Sequence, residues 1–318
     1  MSASLSSGAM EVFDRIAVRR HRNRAAPDFG AHDFLLREVA ARLGDRLDDV
    51  RRAFPTAVDL GCHTGQVAQA LAGRAGIRVL LQTDLSEAMV RRSDGLRLVA
   101  DEEALPFAPA SLDLVVSCLG LHWVNDLPGT LVQVRHALRP DGLFLAAMLG
   151  GDTLFELRHA LLQAEAETAG GVSPRVSPMA DLRDAAGLLQ RAGFALPVAD
   201  LDTITVSYAD PVRLMRDLRG MAQSNAVLSR RRSSTRRDTM MRAAALLLER
   251  FGDAEGRIPL TFQVIWLMAW SPAASQPRPR PRGSAAMRLA DALRDAPSGD
   301  TVSDGRPGAP ESPPATGS

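Results

Sequence analysis

Lysine is absent from the 318 residues, so all 38 basic side chains are arginines. With abundant Ala, Gly and Pro, that pattern reflects codon bias before it reflects function. Asp and Glu number 37, and the formal net charge of +1 argues against a protein that grips nucleic acid through its overall field, while leaving local basic patches open. Cysteine is scarce as well. Cys62 and Cys118 cannot build a disulfide framework, and neither lies in a CxxC or Cys/His metal spacing, so no metal site is expected and a reducing cytosol fits. No window approaches about 18 uninterrupted apolar residues, and the Ser-rich start Met1–Met10 lacks the apolar stretch of a secretory signal. The expectation is a cytoplasmic chain without a transmembrane segment, with peripheral contact at an inner membrane left open.

The apolar content of 46% is ordinary for a globule and sufficient for a sizeable core. Residues 1–55 read as a basic arm followed by a helix. Arg15, Arg19, Arg20, Arg22 and Arg24 surround Val12, Phe13 and Ile16, and their plainest reading is a solvated helix face, the alternative being a partner or phosphate contact. Phe34, Leu35, Val39, Leu43 and Leu47 then recur at helical spacing. From residue 56 to 149, short apolar runs alternate with helical stretches as in parallel strand, helix, strand units. The runs are Ala57–Leu60, Arg78–Thr83, Leu96–Val99, Leu112–Cys118 and Leu143–Leu149, with Pro140-Asp141-Gly142 turning into the last.

Beyond Gly150 the pattern is mostly helical: Thr153–Thr168, Met179–Ala192 closed by Gly193, a start at Asp210-Pro211, and Asp238–Phe251. A strand is expected over Thr203–Tyr208 and a final buried one over Leu260–Trp270. Arg230–Arg237 reads as an exposed loop. The fold class expected is α/β, a mostly parallel sheet over residues 56–270 with a helical insertion at about 150–257 covering the cofactor mouth. Residues 271–318 hold nine of the 20 prolines and read as a largely disordered tail, with a short helix around Ala285–Leu293.

The turn Asp59-Leu60-Gly61-Cys62-His63-Thr64-Gly65 follows the first strand. A dinucleotide fingerprint wants glycines at 61, 63 and 66, and only Gly61 is there. An acid, Leu, Gly, three residues and Gly resemble motif I of class I S-adenosylmethionine-dependent methyltransferases, with a Rossmann-like fold. His63 replaces a common glycine of that motif, so its side chain points away from the cofactor or closes one wall. Charge argues the same way, because acids stand at successive strand ends: Asp59, Asp84 and the pair Asp101-Glu102. A pyrophosphate tolerates these poorly, whereas adenosylmethionine carries a sulfonium, an ammonium and no phosphate. The resemblance implies that Gly61 and Gly65 pass under the methionine part and Asp84 holds the ribose. It further implies that Leu85 and Met89 flank the adenine, Asp101 takes its amino group, and Ser117 to Leu119 line the methyl end. Each acid taken alone is equally well a helix cap or turn residue.

At the end of the fourth strand stands Leu121-His122-Trp123-Val124-Asn125-Asp126-Leu127-Pro128, where open α/β sheets place substrates. His122 is a candidate general base and Trp123 a wall or stacking surface; the alternative is that both pack beneath the cofactor. Cys118, in an apolar strand, reads as an inert thiol. Asp152 and Glu156, four apart, would share one face of a helix beginning there and hold a substrate guanidinium, or serve as a cap and a solvated acid.

Ala100-Asp101-Glu102-Glu103-Ala104-Leu105-Pro106-Phe107, the His122 segment and Gly150-Gly151-Asp152-Thr153-Leu154-Phe155-Glu156-Leu157-Arg158 together resemble one group. That group is the methyltransferase-fold assembly factors of respiratory complex I, the mitochondrial assembly factor 5 type and its bacterial relatives. The similarity runs from about Phe13 to Gly283 and includes Arg19-Arg20-His21-Arg22 and Met221-Ala222-Gln223-Ser224-Asn225. It implies a protein substrate, a complex I core subunit, and hydroxylation of an arginine on a fold built for methyl transfer. More distantly the chain is similar to the methyltransferases that esterify malonyl-carrier protein in biotin synthesis. Three functions thus stay open: a methyltransferase, a protein-arginine hydroxylase, and a non-catalytic assembly chaperone. No His-x-Asp or His-x-Glu occurs, against a simple iron facial triad.

Overall fold

The computed structural model describes residues 11–277. The expected tail helix around Ala285–Leu293, and most of the tail itself, lie outside the described residues. Helix α1 (Arg15–Ala25), a 3-10 segment (Ala26–Ala31) and α2 (Phe34–Asp48) precede the sheet. Strand β1 (Thr56–Leu60), α3 (Gln66–Ala70), β2 (Val79–Asp84), α4 (Glu87–Val90), β3 (Leu96–Val99) and β4 (Leu112–Cys118) follow. Then come α5 (Leu127–Ala137), β5 (Leu138–Leu149), α6 (Phe155–Ala169), α7 (Leu182–Arg191), β6 (Ala195–Tyr208), α8 (Pro211–Gly220), α9 (Arg237–Phe251) and β7 (Ile258–Trp270). Among the described residues, no helix is long and apolar enough to cross a membrane.

The seven strands form one sheet in the order β3-β2-β1-β4-β5-β7-β6, with β7 antiparallel to both of its neighbours. The first five are parallel; β1, β4 and the second half of β5 are buried on both faces, hence their nearly continuous apolar runs, whereas β3 at the sheet edge is exposed. Alternation of side chains splits each strand between two cores. Leu114 and Val116, with Leu143, Leu145 and Ala147, face α2, α6, α8 and α9. Val58, Leu60, Val115, Phe144 and Ala146 face α5 and α7. The strand order reverses between β1 and β4, and a crevice opens at the carboxyl ends of strands at such a point.

The insertion after β5 is not purely helical, since it contains β6, a strand of 14 residues of which the sequence pattern marks only the end. Its first eight residues carry Pro197, Asp200 and Asp202 and are exposed or half-buried, so no apolar run announces them. An edge strand tolerates these residues. Pro197 sits in a register shift between Ala195 and Val198, where the missing N–H breaks no ladder bond. Asp200 and Asp202 pair with Arg46 and Arg42 of α2.

Phe144, fully buried on β5, stacks on Phe194 with centroids 5.6 Å apart. Phe144→Ala is expected to cost about 3–5 kcal/mol in denaturant unfolding. A loss under about 1 kcal/mol would show that α7 does not seal this face as described.

Candidate functional site

The loop after β1 is built by backbone. Gly61 and Cys62 both donate N–H to the Thr83 carbonyl, at 2.8 Å each, and Gly65 (φ 96°) opens α3. At Gly61 an added Cβ would only make ordinary contacts, 3.5 Å from Glu102 Oε1 and 3.7 Å from Gly120 Cα, so it is the left-handed φ of 81° that calls for glycine. His63 holds a left-handed φ of 49°, a conformation few non-glycine residues adopt. Its N–H donates to Asp84, its Nδ1 donates to the Gly61 carbonyl, and its ring stacks on Phe29 at 5.4 Å. Burial presses its pKa down to about 4, so the imidazole is neutral with Nε2 as acceptor.

The acids meet here as expected, and two arginines join them. Asp84 is fully buried and accepts from the N–H groups of His63 and Ser86 and from Arg22 Nη1 at 3.1 Å. The same Nη1 reaches Glu102 at 2.7 Å, while Arg15 bridges Asp101 and Glu102. Arg22 is only 2% exposed, so the solvated-face reading of this segment is corrected. Arg15 and Arg22 stand seven apart, two helical turns, which puts both on one face of α1 against the acids. That spacing was the available signal. Burial pushes Glu102 up, but Arg22 and Arg15 outweigh it and hold its carboxyl down at about 2. Asp59 behaves oppositely: burial, then the neighbouring Asp84, push it well above the usual carboxylate range, and neither oxygen has a hydrogen-bond partner. Ser117 donates to the Leu60 carbonyl at 2.7 Å, Leu85 packs on the cluster of Phe13 and Trp123, and Met89 is buried in the main core. Burial raises both thiols well above their ordinary value, which leaves Cys62 and Cys118 inert.

A cavity of about 580 Å³ lies where α2, α6, α8 and α9 cover the strand ends. His63, Leu119 and Trp123 form the wall toward the acid cluster. Leu119 (φ 50°) and Leu154 (φ 55°) join His63 as left-handed non-glycine residues on this lining. Strain of this kind persists where packing holds it and gathers at functional sites. Trp123 donates its indole N–H to Gln223 at 3.2 Å, and His122 Nε2 donates to the same oxygen at 3.1 Å. His122 is neutral, burial setting its pKa at about 4, and it stands behind Trp123, off the cavity lining.

The pairing of Asp152 with Glu156 needs correction. Helix α6 begins only at Phe155, so the two do not share a helix face. Glu156 is buried and accepts from the N–H and hydroxyl of Thr261, while Asp152 accepts from Gln263 on the exposed side of the loop. Neither lines the cavity.

Comparison with known proteins bears on this geometry. The family described as a methyltransferase domain matches residues 58–146, which hold the acid array and the glycine turn. A putative methyltransferase from Bacillus halodurans superposes with a TM-score of 0.52 at 14% identity, covering 74% of this chain and all of that one, a likeness of fold. The Rattus norvegicus protein named arginine-hydroxylase NDUFAF5, mitochondrial, is 42% identical over 312 residues, 96% of this chain and 90% of the relative. The chain belongs to the NDUFAF5 family. A malonyl-[acyl-carrier protein] O-methyltransferase of Methylovorus sp. is 34% identical over 277 residues, 83% of this chain and 91% of the relative. The fold of this NDUFAF5-family chain is thus the Rossmann-like class I methyltransferase fold, as the motif implied.

Arg22→Met would leave two buried acids without their shared cation, and a stability loss of about 3–5 kcal/mol is expected by urea titration. A loss below about 1 kcal/mol would mean that the acids reach other partners.

His63 and His122 also set a pH dependence. Unfolded, each takes a proton near 6.5; folded, near 4. Between those values the unfolded chain binds more protons, so stability falls as pH falls from about 6.5 to about 4. Melting temperatures across that window should decline less in the His63→Gln, His122→Gln double variant. An unchanged slope would assign the acid sensitivity elsewhere.

Proposed function

We propose that this chain is an S-adenosylmethionine-binding enzyme that modifies a protein partner in the assembly of respiratory complex I, with arginine hydroxylation as the favoured reaction. The observation that carries the reading is the 42% identity with an arginine hydroxylase across nearly the whole of both chains, against 34% for the malonyl-carrier-protein enzyme. Methyl transfer is the second reading, favoured by the methyltransferase family match over residues 58–146.

The residues present fit the cofactor. The buried, unpartnered oxygens of Asp59 offer acceptors to an ammonium, and Gly61 leaves room at its Cα that a side chain would fill. Gly61 and Gly65 would carry the methionine part, Asp84 the ribose, Asp101 with Glu102 the adenine amino group, Leu85 backed by Met89 the adenine face, and Ser117 with Leu119 the methyl end. When bound, S-adenosylmethionine supplies a methyl group on a sulfonium. Trp123 would form the wall toward the substrate, and His122 would hold Gln223, and through it Trp123, in place. Asp152 and Glu156 have no part in this reading, because neither lines the cavity beside the cofactor site. The partner proposed is a complex I core subunit. Since the rat relative is named mitochondrial, the compartment proposed is that in which complex I subunits meet, at the membrane surface, rather than the cytoplasm in general.

Asp84→Asn should weaken S-adenosylmethionine binding about 10- to 100-fold in a calorimetric titration, since ribose hydroxyls would lose a charged acceptor. Unchanged affinity would remove Asp84 from the site. Mass spectrometry of complex I subunits from a deletion strain and its complemented parent tests the reaction. An oxygen added to one arginine is expected, an added methylene would establish methyl transfer instead, and subunits unmodified in both strains would leave only an assembly chaperone.

A further inference from the structure

Beyond Leu119 and Trp123, the cavity beside the acid cluster has a composition that neither reading of the reaction uses. Its depth is apolar. Leu36 of α2, Leu157 and Leu161 of α6, Leu218 of α8 and Phe262 of β7 are all buried in the main core and all face it, with the half-buried Met215 beside them. Its volume of about 580 Å³ lies within the range of small-molecule pockets.

The polar part is strongly one-signed. Six arginines and two aspartates line the cavity. Both acids are already engaged: Asp14 accepts from Arg230 at 2.9 Å and from the Ala17 N–H, and Asp33 accepts from Arg37 and Gln66 at 2.8 Å each. Arg175 and Arg231 are drawn to Glu165. Arg20, Arg219 and Arg232 are exposed and make no ion pair or side-chain hydrogen bond among the described residues. They come from α1, α8 and the loop before α9, three separate elements converging on one cavity. A cationic ligand would meet uncompensated positive charge here, and a neutral one would leave the arginines unused. A carboxylate or phosphate meets guanidinium groups with charge-assisted, often bidentate hydrogen bonds.

We propose that this cavity binds a single-chain amphiphile with an anionic head, the hydrocarbon lying among the leucines and Phe262 and the head held by Arg20, Arg219 and Arg232. Carboxylate and phosphate heads share this chemistry. The site goes beyond the protein-modifying reading and does not depend on it, because binding here requires no turnover. It adjoins that reading: His63 and Leu119 wall both this cavity and the proposed cofactor site, and Trp123, the wall proposed toward the substrate, lines it as well.

The full chain is titrated calorimetrically, below micelle-forming concentrations, with dodecanoate, dodecyl phosphate, dodecanol and dodecylammonium. At least one anion is expected to bind about tenfold or more tighter than the alcohol and the ammonium. Comparing the two anions decides which head is native to the site. Shortening the carboxylate from dodecanoate to octanoate should weaken binding about fourfold per methylene removed. The Arg219→Ser, Arg232→Ser double variant, both positions exposed, should keep the wild-type melting temperature and lose the preference for anions. Met215→Trp, which puts bulk into the pocket, should abolish binding of all chains. The assignment is overturned if dodecylammonium binds as tightly as the anions, if none of the four binds, or if Met215→Trp leaves binding intact, since the last result would mean adsorption to the surface.

Discussion

The guanidinium of Arg22, held between Asp84 and Glu102, is the interaction on which the site depends. Three charges without access to water are costly to bury, and the arrangement survives only because each member meets opposite charge. Its members come from α1, from the end of β2 and from the segment after β3, so one cluster ties the N-terminal helix to the carboxyl edge of the sheet. Arg15 repeats the contact two turns earlier against Asp101 and Glu102. The N-terminal segment is therefore part of the site's wall. Phe13 on Trp123, with Asn125 accepting the N–H groups of Val12 and Phe13, fixes the same segment to the exit of β4.

Around that cluster the protein separates two carboxyls by environment. Glu102, among cations, is held down at about 2, while burial and the neighbouring Asp84 push the carboxyl of Asp59, which opens the glycine turn and has no partner, well above the usual carboxylate range. Asp84 stands between them and spends its oxygens on two backbone N–H groups and Arg22. A ribose hydroxyl approaching Asp84 would share an acceptor that is already oriented, which costs less than ordering a free side chain.

Much of this was legible in the sequence, for identifiable reasons. The central parallel strands announced themselves because burial on both faces demands nearly continuous apolar runs, as in Leu112–Cys118, and the glycine turn and strand-end acids fell in register with them. The first half of β6 was not legible, because an edge strand has no second buried face to fill and tolerates Pro197 and two aspartates. Asp152 and Glu156 misled because their spacing is meaningful only on a helix, and α6 starts three residues after Asp152. Arg22 was visible as a charge but not as a buried one, since nothing local tells a solvated arginine from one whose partners lie 62 and 80 residues away. The role of Gln223 in joining His122 to Trp123 depends likewise on a contact 100 residues long.

The absence of lysine gains a structural meaning from the two sets of arginines. Arginine remains charged when buried and presents several donors in a plane, so Arg22 can serve two carboxylates from one nitrogen while losing no charge to burial. At the cavity, Arg20, Arg219 and Arg232 make no ion pair among the described residues, the two lining acids, Asp14 and Asp33, being engaged by Arg230 and Arg37. Within one fold, arginine paired with acids closes the edge of the sheet, and arginines that make no ion pair line the cavity proposed to take an anionic head.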